Sequence, residues 1–398
     1  MSTVHRSRLT RTVWALGVVS LLADLASDMV FPLLPAFLVG VLGASATGLG
    51  LIEGVAEGTS AALKLVAGRL ADRTGRLKGL TLLGYAVSGA AKPLVALATA
   101  PWHVLAVRFG DRVGKGLRSA PRDALLALEA PPEARGRAFG LHRAMDTAGA
   151  MLGPLVAFGV LALAPGDYRL LFALSAVPAG LSVLVLVLFV SDRRVEGEMG
   201  DGRWEMGRAE EAGTPSPAPL GAPFWKLLAV VAIFTLGNSS DAFALLRAEG
   251  VGVPVAALPI LWFGFNAVYT AVAYVGGGWS DRAGRRRVLV AGLVVYALAY
   301  GGFALAGAVW HVLGAFALYG VYYGLTEGVL RAAVSDVVPA ERRGTAFGVY
   351  YALTGVLALV ASLGAGWLWD AFGPAVPFGA GAALALVAAM LATRWVRG

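Results

Sequence analysis

Long apolar stretches alternate along the chain with short polar segments that are mostly basic. A helix that crosses a bilayer needs about 20 mainly apolar residues. Stretches of that kind recur at 13–39, 47–71, 79–99, 101–125, 136–164 and 168–191. They return at 222–247, 254–279, 286–307, 309–335, 343–370 and 374–394. The pattern predicts an all-α membrane protein with twelve transmembrane helices in two bundles of six. Between the sets lies the only long polar segment, which ends in Thr214-Pro215-Ser216-Pro217-Ala218-Pro219. Its mixed charges and spaced prolines leave nothing to bury, so it reads as a linker. The expected organisation is a bundle over 1–191, a linker over 192–222 and a second bundle over 223–398.

Composition strengthens this reading. Hydrophobic residues make up 58% of the chain and charged ones 15%, against roughly 45–50% and 25% in soluble proteins. The net charge of +8 could suit nucleic acid, but the basic residues sit in clusters between the apolar stretches, so no nucleic-acid partner is expected. There is no cysteine, which removes disulfides and thiolate metal sites. Arg6, Arg8 and Arg11 ahead of an apolar run mimic a signal peptide, but Asp24 and Asp28 interrupt the run and no small-residue cleavage site follows. A retained first helix is expected.

Lys and Arg concentrate in alternate connections. One set carries Arg6, Arg8 and Arg11, then Arg69, Arg73, Arg76 and Lys78, then Arg135 and Arg137. It continues with Arg193 and Arg194, Arg282 and Arg285 to Arg287, Arg342 and Arg343, and Arg394 and Arg397. The other set carries only Arg169 and Arg247. Both termini and the linker are therefore expected on the cytoplasmic side of a bacterial or archaeal plasma membrane.

The two sets of helices repeat one another. Trp102-His103-Val104-Leu105 returns 208 residues later as Trp310-His311-Val312-Leu313. At that spacing Glu133, Arg135, Gly136 and Ala138-Phe139-Gly140 return as Glu341, Arg343, Gly344 and Ala346-Phe347-Gly348, and Gly84 matches Gly292. One shared offset across three helices marks an internal duplication.

Two loops share a motif. Gly68-Arg69-Leu70-Ala71-Asp72-Arg73-Thr74-Gly75-Arg76 follows the second helix, and Gly277-Gly278-Trp279-Ser280-Asp281-Arg282-Ala283-Gly284-Arg285 follows the eighth. The first glycine permits close helix approach, the second a tight turn. The aspartate can cap a helix start or pair with an arginine. This pattern resembles the signature loop of the major facilitator superfamily, in the place where that family puts it in both halves. The resemblance covers the chain apart from the linker. It implies two pseudo-symmetric bundles rocking about a central cavity, with a small-molecule substrate near the midplane. It also implies a conformational latch in which Asp72 pairs with Arg118 or Arg122 near the cytoplasmic end of the fourth helix.

The fifth helix carries Gly149-Ala150-Met151-Leu152-Gly153-Pro154. It resembles the Gly-xxx-Gly-Pro motif of antiporter members, with Ala157-Phe158 where a pair of glycines usually follows. As a small-residue face, Gly149, Gly153 and Pro154 also serve helix packing. The resemblance places an arginine for proton transfer in the fourth helix. Arg108 fits by its preceding residues, and Arg112 stands where the family has glycine.

An ionisable side chain at the bilayer centre costs at least about 2.5 kcal/mol, which makes each a functional candidate. Asp24 and Asp28 share one face of the first helix, and Glu53 and Glu57 one face of the second, with Lys64 two turns on. Lys92 lies in the third helix, Arg108, Asp111 and Arg112 in the fourth, Arg143 and Asp146 in the fifth. The second half has fewer: Asp241, then Glu327 and Arg331. A structural role would pair Asp24 or Asp28 with Arg108 or Arg112, and Glu53 or Glu57 with Lys92 or another base. A coupling role would cycle a proton on one of Asp24, Asp28, Glu53, Glu57 and Asp111, with Asp28 foremost.

The second half is rich instead in amides and tyrosines: Asn238, Asn266, Tyr269, Tyr296, Tyr300, Tyr319, Tyr322 and Tyr323. Some would line a substrate pocket with Asp28, Glu53, Asp241 and Glu327. About half of the tyrosines would be interfacial. Coupling is expected in residues 13–164, and substrate contacts mainly in the second half.

The expected function is proton-coupled antiport exporting a small organic or cationic solute. The alternative is uptake of a nutrient or organic anion, with Arg108, Arg112, Lys64 and Lys92 binding a carboxylate or phosphate. A membrane-embedded hydrolase lacks its signatures. Arg108-Phe109-Gly110 precedes Asp111, no Ser-His or His-metal spacing occurs, and no phosphate-binding loop is present. No cofactor or metal is expected, and a monomer suffices.

Overall fold

The computed structural model describes residues 9–74, 76–130, 135–190, 220–339 and 343–396, without the side chains of 65, 68–69, 71–74, 135–136, 274–278, 281 and 343–344. Residues 192–219 of the expected linker, and with them that division of the chain, lie outside the described residues.

The described chain folds into twelve long helical segments. The first six are α1 (Arg11–Val41), α2 (Ala46–Thr74), α3 (Leu77–Leu97), α4 (Pro101–Glu129), α5 (Arg135–Leu163) and α6 (Tyr168–Phe189). The second six are α7 (Gly221–Gly250), α8 (Leu258–Ala283), α9 (Arg285–Leu305), α10 (Val309–Asp336), α11 (Arg343–Phe372) and α12 (Ala375–Trp395). Nine of these are apolar enough along a spanning length to cross a membrane by composition; the others are α2, α4 and α10. These are the helices that carry Glu53 and Glu57, Arg108 to Arg122, and Glu327 and Arg331. These charged residues line the space between the halves, while Trp102, Leu188 and Val356 are exposed elsewhere, as a lipid-facing surface requires.

Helix breaks follow local chemistry. Proline lacks an N–H and clashes with the preceding turn. Around Pro32 α1 passes into a 3₁₀ turn at Phe31–Leu33, and after Pro35 into a π turn at Phe37–Val41. In α7 the helix stops at Gly237 and restarts at Ala242, leaving Asn238 to Asp241 outside regular helix.

The duplication is visible in the packing. In the first half α1 packs on α5 and α6, α2 on α4, and α3 on α4 and α6. In the second half α7 packs on α11 and α12, α8 on α10, and α9 on α10 and α12. The halves meet through α2 against α11 and α5 against α8, a swap-related pair of contacts. The repeated Trp-His corners close helix starts. His103 Nδ1 accepts from the Ala100 N–H at 3.2 Å, and His311 Nδ1 accepts from the Gly307 N–H at 3.4 Å. Each takes up a backbone donor left over at a helix start. Gly84 and Gly292 occupy equivalent crossings: a Cβ on Gly84 would lie 2.6 Å from the Gly114 oxygen and the Arg118 Cβ, and one on Gly292 would strike Thr326. Arg118 and Thr326 are themselves 208 apart.

Candidate functional site

Two joined cavities run between the halves. The deeper one, about 550 Å³, is lined by Asp28, Glu53, Glu57, Lys92, Arg108, Asp111, Arg112, Asn238, Asp241, Trp262 and Tyr323 among others. The outer one, about 950 Å³, is lined by the ends of α4, α5, α10 and α11 nearest the chain termini. Glu57, Lys115, Asn238, Tyr323 and Glu327 line both, so one passage leads from the termini face to the centre.

Most charges of the deeper cavity are matched. Arg108 grips Glu53 with two hydrogen bonds, Nε to Oε1 at 3.0 Å and Nη2 to Oε2 at 2.7 Å. Arg112 Nη1 lies 3.2 Å from Glu57, and Lys92 Nζ lies 3.3 Å from Asp111. Ser88 adds a 2.6 Å hydrogen bond to Asp111. The glutamates thus pair with bases other than Lys92, while neither Asp24 nor Asp28 pairs with Arg108 or Arg112 among the described residues. Helix α4 packs on α2 and α3, so its arginines meet the glutamates of α2, and its aspartate meets the lysine of α3. The acids of α1 are left without those partners.

Asp28 accepts a hydrogen bond from Trp262 Nε1 at 3.0 Å. Asp241, at the break in α7, accepts from Tyr319 Oη at 2.5 Å and Tyr323 Oη at 3.1 Å. Neither has a cation within ion-pair distance among the described residues. Asp24 faces the outer cavity, 3.9 Å from Arg118 Nη2.

The remaining expected residues fall as follows. Tyr322 lines the outer cavity, and Asn238 lines both. Asn266 bonds to the Trp262 carbonyl at 3.0 Å and lines neither. Tyr269 donates to Glu327, Arg331 pairs with Glu327, and Arg143 of α5 donates to Tyr269 at 3.2 Å, which ties the halves beside the outer cavity. Gly149 and Gly153 face α1, where a Cβ on Gly153 would lie 2.7 Å from the Leu25 oxygen; Pro154 follows within the continuous helix. Of the loop motifs, Gly75 lies outside the described residues, as do the surroundings of Gly68, Asp72, Arg73, Gly277 and Asp281. Arg118 and Arg122, the two bases expected near Asp72, stand by Asp24 and Asp123. Arg76 precedes α3 and Arg282 ends α8. Gly284 turns between α8 and α9 at φ 89°, a region that favours glycine. Arg285 binds Asp336 at the end of α10 at 3.2 Å.

Two lining residues, Trp262 and Lys115, and one partner of a lining residue, Ser88, escaped the sequence reading. Trp262 and Ser88 carry no charge to mark them, and Ser88 reaches the site only as a hydrogen-bond donor to Asp111. Lys115 had a legible signal: Arg108, Arg112, Lys115, Arg118 and Arg122 recur every three or four residues and share one face of α4. The tyrosines also differ from expectation, because Tyr296, Tyr300 and Tyr319 are fully buried rather than interfacial. Adding 208 to Ser88, Lys92, Asp111 and Lys115 gives Tyr296, Tyr300, Tyr319 and Tyr323. The α9–α10 crossing therefore holds stacked tyrosines, with Tyr296 and Tyr300 ring centroids 4.1 Å apart, where α3–α4 holds an ion cluster.

The end of the passage away from the termini is sealed. Asp370 of α11 caps the start of α2, accepting from Ala46 N–H at 3.0 Å, Thr47 N–H at 2.8 Å and Thr47 Oγ1 at 2.6 Å. Bonds to a charged acceptor contribute about 1.5–3 kcal/mol each. Replacing Asp370 by alanine is expected to open this end. A Leu49→Cys reporter, in a chain without native cysteine and buried in this seal, should then label at least about tenfold faster with an impermeant maleimide, the factor that 1.4 kcal/mol implies.

The comparisons with known proteins agree with this architecture. A family model described as Major Facilitator Superfamily matches residues 16–265 and 227–398. An uncharacterised MFS-type transporter of Methanocaldococcus jannaschii is 32% identical over 404 residues, covering 96% of this chain and 94% of that protein. A multidrug resistance protein of Salmonella arizonae, MdtH, is 31% identical over 158 residues, 40% of this chain and 38% of the relative. Among solved structures, the nucleoside transporter NupG has a TM-score of 0.77 at 14% identity, over 98% of this chain and 100% of that one, which is a likeness of fold. By matched family model, by relative and by fold, the chain belongs to the Major Facilitator Superfamily of membrane transporters.

Proposed function

We propose that the protein is a proton-coupled antiporter that exports a small organic or cationic solute by alternating access. The observation that carries this reading is the pair Asp28 and Asp241, one from each half, which face one cavity and are hydrogen-bonded by neutral groups alone. A carboxylate in a low-dielectric site without a counter-cation is stabilised by taking up a proton or a positively charged ligand. Two such groups in one passage let a proton and a cation compete, which is the requirement for exchange. Trp262 and Tyr323 beside them supply ring faces for an organic cation. The matched pairs Glu53–Arg108 and Asp111–Lys92 act as the fixed frame around them. We assign Asp28 the proton and Asp241 the cargo. The partial likeness to a multidrug resistance protein supports export.

The test is transport by the purified protein in proteoliposomes, with tetraphenylphosphonium and ethidium as cargo. An acidic lumen should drive accumulation of the cation, with protons leaving as it enters. Flux indifferent to the pH gradient, or protons moving in the same direction as the cation, would sink the reading.

A further inference from the structure

The outer cavity holds two lysines without an ion-pair partner among the described residues. Lys64 of α2 and Lys115 of α4 line it, and neither makes a hydrogen bond or ion pair among the described residues. They stand close enough to repel one another. Arg118, next along the same face of α4, is only 4% exposed, and its Nε and Nη1 have no hydrogen-bond partner. Its guanidinium rests 4.1 Å from the centroid of the Tyr85 ring, and the carboxylate it meets among the described side chains is Asp24, 3.9 Å from Nη2. The other acids at hand are engaged: Glu57 with Arg112 at 3.2 Å, and Asp123 with Arg122 at 2.8 Å.

Packing does not require these charges. At the repeat spacing of 208, Lys115 and Arg118 correspond to Tyr323 and Thr326, and the α9–α10 crossing keeps the same glycine-mediated approach without them. The loop motifs place α8 209 residues after α2, so Lys64 corresponds to Ala273. Gathering like charges in one cavity is costly unless an anion joins them. Two mobile ammonium groups and a guanidinium fork are the donors that carboxylate and phosphate oxygens select.

We propose that Lys64, Lys115 and Arg118 form an oxyanion site, which receives a carboxylate or phosphate group of the solute as it enters from the termini face. The proposal rests on the cavity being the cargo's path and sharpens the class of cargo. A solute that also reaches Asp241 carries both an anionic and a cationic group.

The test uses the full chain in nanodiscs of phosphatidylcholine and inorganic phosphate as the probe, with ionic strength held constant by chloride. Saturable phosphate binding is expected by calorimetry, weakened at least tenfold in K64Q/K115Q and unchanged in K78Q, which alters a lysine outside both cavities. As a second reading that does not depend on the double variant folding, a K64C chain should react several-fold faster with a sulfonate-bearing thiosulfonate reagent than with its trimethylammonium counterpart. Absence of saturable binding, wild-type binding by K64Q/K115Q, or faster reaction with the cationic reagent overturns the site. Competition by phosphatidylglycerol added to the nanodiscs would give the site to a lipid headgroup and overturn its role in cargo binding; phosphate binding indifferent to that lipid supports it. Binding is read without a gradient, so its failure leaves proton-driven flux intact, and failure of that flux leaves binding intact.

Discussion

Replacing Asp28 by asparagine is expected to abolish gradient-driven flux while leaving exchange of labelled for unlabelled cation in place. Asparagine keeps the shape and can still accept from Trp262 Nε1, but it cannot carry a proton. Replacing Asp241 should act differently. A cation held about 4 Å from a carboxylate gains about 4 kcal/mol at an effective dielectric of 20. Even a third of that, lost on D241N, raises the half-saturating cation concentration about tenfold. Flux at saturation should stay gradient-driven. Both are read in the same proteoliposomes as initial rates against cation concentration. If D28N keeps its response to the pH gradient, the proton is carried elsewhere. If D241N binds cation as the wild type does, the cargo does not use that carboxylate. Tyr319 and Tyr323, which donate to Asp241, hold its oxygens toward the passage.

Breaking the Glu53–Arg108 pair should be the most damaging single change to stability. Both side chains are buried, and the two hydrogen bonds between them form a parallel fork. Removing one partner strands the other charge at a cost of about 3–5 kcal/mol. Glu53→Leu and Arg108→Leu are each expected to destabilise by that order, measured as unfolding free energy in mixed micelles. The double substitution should be milder than either single one, because no charge is stranded and the volume remains filled. Arg108 also lies 3.7 Å from Asp111, so Arg108→Leu weakens a second contact and should be the worse of the two. A double variant as unstable as the sum of the singles would show that the two residues act independently.

The architecture was legible because its causes are local or periodic. A spanning helix announces itself by length and apolarity, and the observed helices start and stop within a few residues of the expected ones. The duplication was legible because both copies kept their packing glycines and their helix-start histidines, as at Gly84 with Gly292 and His103 with His311. The set of polar residues that share the cavity was largely legible too, since a charge within a spanning helix has few places to go but the interior. Glu53, Glu57, Asp28, Arg108, Asp111, Arg112 and Asp241 all line the deeper cavity. Asn266, turned back onto its own helix, shows the limit of that inference.

The sequence by itself determined that this chain spans a membrane, that its two halves repeat one plan, and that the first half carries most of the intramembrane charge. Tertiary structure alone decided which charges cancel. Spacing along a helix puts Arg108 and Arg112 on one face, but only the crossing of α4 with α2 turns that face toward Glu53 and Glu57 and away from α1. Asp28 is thereby left to Trp262, and the break in α7 sets Asp241 beside the same cavity. Ion pairing depends on ångström distances between helices far apart in the chain, and Coulomb energy in a low-dielectric interior changes by several kcal/mol over that range. Sequence patterns count the charges within the bilayer; helix packing determines which of them remain free to bind.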